Sequence, residues 1–362
     1  MKHWFGALPS RFLPIDPLRR RRVMWLLNHK TLMPAEVGVL RSLGLSVFVP
    51  KVLPSGIEFS RAVVVRDHDE ALALPAAVLH RLNAHRFYED AWPDDLARMI
   101  NRHFGTVITS VYQRPLTETA KHFSGRIVAR VFGREHPRTY HEIMSFYGLE
   151  QAIQACGERF VLGQGYDAVG EVEPDYLAKA AMTFAVAVPD MIWQQQNTWT
   201  GGGEQSVLLL CPRINDNPYY TDLYRSVKAM MGDIPHRIFG KQFSDVADPC
   251  VLPYLTDSRL LQLYREAPVF AYHSTEPRHV HYSPVEAMVI GTPTLYRQGS
   301  LLDGLAGRPL DGCCRDGQEM REKALRLLGG DRQLAEAIRD QQPAITRHFS
   351  VDQARHQWGR LL

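Results

Sequence analysis

His273-Ser-Thr-Glu-Pro-Arg-His-Val-His-Tyr-Ser-Pro-Val-Glu-Ala-Met-Val-Ile-Gly-Thr-Pro-Thr-Leu-Tyr296 carries more information about this chain than any other stretch. It follows Pro268 to Ala271, an apolar run that reads as a buried strand. Ser283-Pro-Val-Glu286 has the spacing of a capping box, which predicts a helix that starts at Ser283. Ser283 would accept from a first-turn amide, Pro284 suits the first helical position, and Glu286 would reach back to the cap amide. Gly291 then ends the helix and Pro293 keeps it ended. A helix start beyond a strand offers free amides and partial positive charge to a phosphate, while a carboxylate accepts from ribose hydroxyls. Ser283 and Glu286 are therefore candidate ligand contacts as well as a structural cap.

Upstream of that segment the pattern alternates. Ser206 to Cys211, His236 to Phe239 and Cys250 to Tyr254 read as strands, and the spacing predicts helices over 220–231 and 257–265. The first half begins the same way: a strand at Val23-Met-Trp-Leu-Leu27, the loop Asn28-His29-Lys30-Thr31, a helix over 34–43, and a strand at Leu45-Ser-Val-Phe-Val49. Such β-α-β units build parallel sheets. Further strands are expected at Ala62 to Val65, Thr106 to Ser110, Arg126 to Arg130 and Arg159 to Leu162, with helices over 93–104 and 140–156. The triple glycine in Asn197-Thr-Trp-Thr-Gly-Gly-Gly-Glu204 reads as a flexible connection between two α/β domains. Two such domains would face each other across a cleft, with ligands at the carboxyl ends of the strands.

The composition narrows the function. The chain has 362 residues, 45% hydrophobic and 22% charged, which is ordinary globular usage. Its formal charge of +3 gives no electrostatic footprint for nucleic acid, so none is expected as a partner. The five cysteines lack C-x-x-C spacing and a zinc-type His set, which fits reduced thiols in a cytoplasm and predicts no metal. No run reaches the roughly 18 to 20 apolar residues of a membrane span, and no secretory leader is recognised at the N-terminus. Arg19 to Arg22 form a dense basic run beside Trp25, read either as a solvated lead-in to a strand or as a peripheral contact with anionic headgroups.

Pro284-Val-Glu-Ala-Met-Val-Ile-Gly-Thr-Pro-Thr resembles the P-x-E-A-M-x-x-G-x-P-V signature of nucleotide-sugar glycosyltransferases of the GT-B fold, in particular the large retaining family that includes sucrose synthase and bacterial polysaccharide transferases. The resemblance covers residues 205–362, where Asp257 to Tyr272 is similar to the family's helix-strand lead-in and Phe349-Ser350 through Trp358 to its tail helix. It implies an α/β chain of GT-B type with two Rossmann-like domains: an acceptor domain over 1–200, a donor domain over 201–345, and a C-terminal helix over 346–362 that packs back toward the first. In the family the residue that matches Glu286 holds the nucleotide ribose, and the loop before it meets the donor sugar and diphosphate. Arg278 stands where the family carries its first glutamate, with Glu276 two residues upstream, and His279-Val-His281-Tyr replaces a small glycine-bearing stretch. The resemblance therefore does not extend to donor-sugar handling. Arg213 stands where the family places a diphosphate-binding arginine, while Lys241, just past the next strand, and Arg278 are substitutes for a missing lysine.

In the first half the resemblance places acceptor or donor phosphate near the loop of His29, where imidazole suits a general base or simply a polar loop. Asp67, in Asp67-His68-Asp69, is a base or a solvated loop residue. His136 follows a strand where related transferases place a sugar-contacting histidine. The leaving diphosphate would be handled by a helix dipole and basic side chains, with no cofactor or obligatory metal. The implied activity is sugar transfer from a nucleotide-sugar donor to a hydroxyl of a glycan or lipid-linked glycan, in bacterial lipopolysaccharide or capsule synthesis at the inner face of the membrane. A GT-B nucleotide-sugar 2-epimerase and a non-catalytic nucleotide-binding protein remain open alternatives.

Overall fold

The structure is a computed structural model, and it describes residues 15–29, 31–52, 69–111 and 114–361. Its described part holds two parallel sheets. The first runs in the order β2-β1-β3-β4-β5-β6, with β1 Arg22–Leu26, β2 Ser46–Phe48, β3 Thr106–Ser110, β4 Arg126–Val131, β5 Phe160–Gln164 and β6 Ala181–Thr183. The second runs β11-β10-β9-β7-β8, with β7 Val207–Leu210, β8 His236–Phe239, β9 Val269–Tyr272, β10 Thr294–Arg297 and β11 Cys313–Cys314. Two compact units result: Met1–Lys30, Leu40–Arg130 and His141–Gly163 in one, and Thr31–Val39, Val131–Tyr140 and Gln164–Leu362 in the other.

Central strands read as unbroken apolar runs because helices cover both faces of a parallel sheet. Val23, Met24, Trp25 and Leu26 of β1 are fully buried, as are Val207, Val269 and Phe270 in the second sheet. The helix Asp94–His103 buries Leu96, Ala97, Ile100 and His103 on one stripe, and carries Asp94 and Asp95 in its first turn and Arg102 in its last, matching the helix dipole. In the second unit the helix Val351–Gly359, capped by the Ser350 hydroxyl, stacks Trp358 on Phe184 with ring centroids 4.1 Å apart. The Gln357 side chain also accepts from the Ala185 amide.

Several sequence expectations change. The helix expected over 140–156 is two helices, Tyr140–Phe146 and Glu150–Cys156, parted at Gly148 with φ +62°. The strand expected at Cys250 to Tyr254 shrinks to one bridge between Ile238 and Val251, since Pro253 has no amide to extend the ladder. The triple glycine is pinned: Gly201 and Gly203 donate to the carbonyls of Arg265 and Glu266, and the Trp199 indole donates to Ala267 O at 2.8 Å. A Cβ on Gly203 would lie 2.8 Å from that of Glu266, so these glycines serve close packing. The Ala62 to Val65 strand lies outside the described residues. In the basic run, Arg20 and Arg21 are exposed and Arg19 half-buried. Arg22 cannot join a surface contact: it is buried, paired with Asp16 at 2.6 Å, and bonded to the carbonyls of Leu72 and Ala73.

Candidate active site

Both sheets reverse strand order next to their first strand, and the crevice beyond the carboxyl ends at such a point is where open parallel sheets collect ligands. In the second sheet the reversal falls between β7 and β9. The loops that leave those two strands, and the loop after β8, carry most of the residues singled out in the sequence.

The first two cations come together. Arg213 follows β7 in a left-handed conformation, φ 53°, rare for a residue with a Cβ. Its amide donates to Lys241 O at 2.9 Å. Gly240, φ 132°, permits this approach, because a Cβ there would sit 2.8 Å from Pro212 N. Gln242 staples the two loops: its side chain donates to Cys211 O at 2.8 Å and accepts from Ile214 N at 2.9 Å. The Arg213 guanidinium carbon and the Lys241 ammonium then lie 4.9 Å and 5.6 Å from the centroid of the Phe243 ring. Sequence reasoning missed Gln242 and Phe243, since neither belongs to a motif. Arg213 has no hydrogen bond or ion pair from its guanidinium among the described residues, and its Nε is buried without a partner.

The loop after β9 is held differently. Glu276 is buried, and its Oε2 accepts from the His136 amide at 2.9 Å. Burial pushes the Tyr219 phenol up to about 12. His136 and Glu276 are thus brought together through the histidine's backbone, and the His136 ring is exposed. His279 Nδ1 meets Phe132 O at 2.8 Å. Gly133 packs so closely that a Cβ there would lie 1.8 Å from Arg278 O. His281 is clasped by two phenols, Tyr272 at 2.9 Å from Nδ1 and Tyr220 at 3.0 Å from Nε2. Both ring nitrogens are taken, which makes His281 a structural member of this loop.

The helix spans Tyr282–Ile290 with His281 as its cap residue and no side-chain cap bond, so Ser283 and Glu286 do not close the expected capping box. Starting two residues earlier puts Pro284 third in the helix, still inside the first turn, where the missing amide costs no intrahelical bond. The Tyr264 hydroxyl donates to Glu286 Oε2 at 3.2 Å. Burial pushes the Glu286 carboxyl up to about 7, with the Tyr264 bond working against the rise and Asp257 adding to it. The predicted end holds: Gly291 is left-handed, φ 98°, and closes onto Ala287 O and Met288 O.

His29 lies just past β1, where the first sheet reverses its strand order, and Asp67 lies outside the described residues. Among the described residues no group of three or more His, Cys, Asp or Glu side chains is placed to hold a metal ion. No described helix is long and apolar enough to cross a membrane.

No protein-family model matches this chain, and no curated protein matches it by sequence. Solved structures do. HepE of Anabaena in complex with UDP-glucose aligns with a TM-score of 0.62 at 14% identity, over 94% of this chain and 98% of that one. Sucrose-phosphate synthase from Thermosynechococcus elongatus gives a TM-score of 0.58 at 12% identity over 94% and 98%. A glycosyltransferase from Rickettsia africae gives 0.54 at 12% over 94% and 97%. The chain has the GT-B fold. Within a GT-B chain, the loops after β7, β8 and β9 are the ones that the strand reversal marks as ligand-binding, and they carry Arg213, Lys241, Glu276 and Arg278.

Proposed function

We propose that this protein transfers a sugar from a nucleotide diphosphate sugar to a hydroxyl acceptor. The observation that carries the reading is the pair Arg213 and Lys241, joined through their backbones over one aromatic ring at the carboxyl ends of β7 and β8. A guanidinium without a protein partner beside an ammonium matches a diphosphate. Glu286 would hold the ribose, since a buried carboxylate is a strong acceptor for hydroxyls. The likeness to structures whose ligands are UDP and UDP-glucose favours a uridine donor.

His29 is the candidate base for the acceptor hydroxyl, and the His136 ring the candidate sugar contact. The acceptor would be a glycan or lipid-linked glycan of a bacterial surface polysaccharide. Exposed Ile15 and Leu18 beside Arg20 and Arg21 give a small apolar and basic patch suited to an anionic membrane face.

Thermal unfolding with UDP, GDP, ADP, CMP and TDP tests the donor half. A ligand at about 100 times its Kd adds roughly 2.7 kcal/mol of stability, so one nucleotide should raise the melting temperature clearly and the others little. Turnover of the matching donor that depends on an added glycan would establish transfer; acceptor-independent turnover would point to the epimerase. Absence of a shift with every nucleotide overturns the reading.

A further inference from the structure

Arg278 is only 6% exposed. It nevertheless makes no hydrogen bond, ion pair or ring contact among the described residues. None of its nitrogens is sealed from solvent without a partner, so a packed stem ends in a guanidinium that meets water. A guanidinium held by a packed stem at a mouth open to water, with no counter-ion of its own, is arranged to receive an anion.

The backbone around it is held on both sides. Gly133 leaves no room for a Cβ against Arg278 O, and His279 is tied to Phe132 O at 2.8 Å. Glu276, two residues earlier in the loop, accepts from the His136 amide and forms no ion pair with Arg278 among the described residues. The arginine is therefore positioned and left unneutralised by its own loop.

Charge balance identifies the anion. A nucleotide diphosphate sugar carries two negative charges at its diphosphate, and Arg213 with Lys241 already supplies two cations at the ends of β7 and β8. Arg278 is a third, on the loop that leaves β9, across the strand reversal from that pair and three residues before the helix cap His281. Resting on the donor-binding reading above, we propose that Arg278 recognises a carboxylate on the donor sugar, so that the donor is a nucleotide-activated uronic acid rather than a neutral hexose. The planar guanidinium fork matches a carboxylate in two parallel hydrogen bonds.

The test is a donor pair on the base selected by the nucleotide panel, for instance UDP-glucuronate and UDP-glucose, titrated against wild type, Arg278→Met and Arg278→Lys. Wild type should bind the uronate tenfold or more tightly than the neutral sugar. Arg278→Met should bring the ratio close to one while binding of the bare nucleoside diphosphate stays unchanged. Arg278→Lys keeps the charge but loses the fork, so it should fall between, and it supplies the readout if the Met variant does not fold. Equal affinity of wild type for both donors overturns the proposal. So does an equal loss of UDP and both donors in Arg278→Met, which would make Arg278 a diphosphate ligand and leave the donor-binding reading intact. If no nucleotide binds wild type, that reading fails and this proposal fails with it.

Discussion

Two neighbouring regions of the second unit treat their charged groups in opposite ways. Where β7 and β8 end, the backbone is stapled by Gln242 while the Arg213 guanidinium is left with only the Phe243 ring. Where β9 ends, the protein fills polar groups from within: Glu276 accepts from the His136 amide, and His281 is held by two tyrosines. The contrast separates scaffold from reagent. A side chain whose bonds are filled from within holds shape, and one held in place with its bonds unfilled is ready for a ligand. Arg278 is instructive because it has the unfilled character on the loop after β9, where the other polar groups are filled.

The largest effect should come from Gly133→Ala. A Cβ at 1.8 Å from Arg278 O, on a residue with φ +83°, adds backbone strain to overpacking, together about 4 kcal/mol of lost stability in denaturant unfolding. A stability loss under about 1 kcal/mol would mean that the loop after β9 is less tightly held than the packing implies.

Glu286→Gln comes next, and its sign depends on pH. The folded carboxyl titrates near 7 against an ordinary 4.5, so folding is favoured when the proton is on. Stability falls as pH rises from about 4.5 to 7 and stays low above that, a penalty of about 3 kcal/mol. The amide variant removes it: unfolding at pH 8 should show a gain approaching that size, and unfolding at pH 4 almost none. Nucleotide affinity of wild type should rise through pH 7, because ribose hydroxyls donate to the ionised form, and Glu286→Gln should flatten that profile.

Arg213→Met should leave the unliganded melting temperature nearly unchanged, since no protein bond is lost, while weakening the selected nucleotide about 30-fold, or about 2 kcal/mol. If the melting temperature dropped without ligand, the assignment of Arg213 to the ligand side of the contrast would break. Lys241→Met should have the smallest effect, about fivefold in affinity, because an ammonium offers a point charge without the fork. Equal losses for the two variants would mean that both cations grip the phosphate alike.

Much of the scaffold was legible because its causes are local. Apolar runs announced the buried strands, and Gly291 marked a left-handed helix end. The pairing of Arg213 with Lys241 was legible only as two basic residues after successive strands; Gly240 and Gln242, which bring them together, carry no periodic signal. The capping-box spacing misled, because a tyrosine 22 residues upstream competes successfully for Glu286.

By itself the sequence determined the two α/β halves, the strand-loop-helix segment around Glu286 and the absence of a bulk charge suited to nucleic acid, all of which follow from periodicity, punctuation and composition within short windows. Tertiary structure alone decided which polar groups are spent. Glu276 finds its donor 140 residues away in chain, Arg22 is buried by carbonyls some 50 residues on, and Arg278 is buried along its stem without a partner. The physical reason is that a hydrogen bond or an ion pair is satisfied by whatever lies within about 3 Å in space, and distant segments are brought that close only when the sheets and their loops have packed.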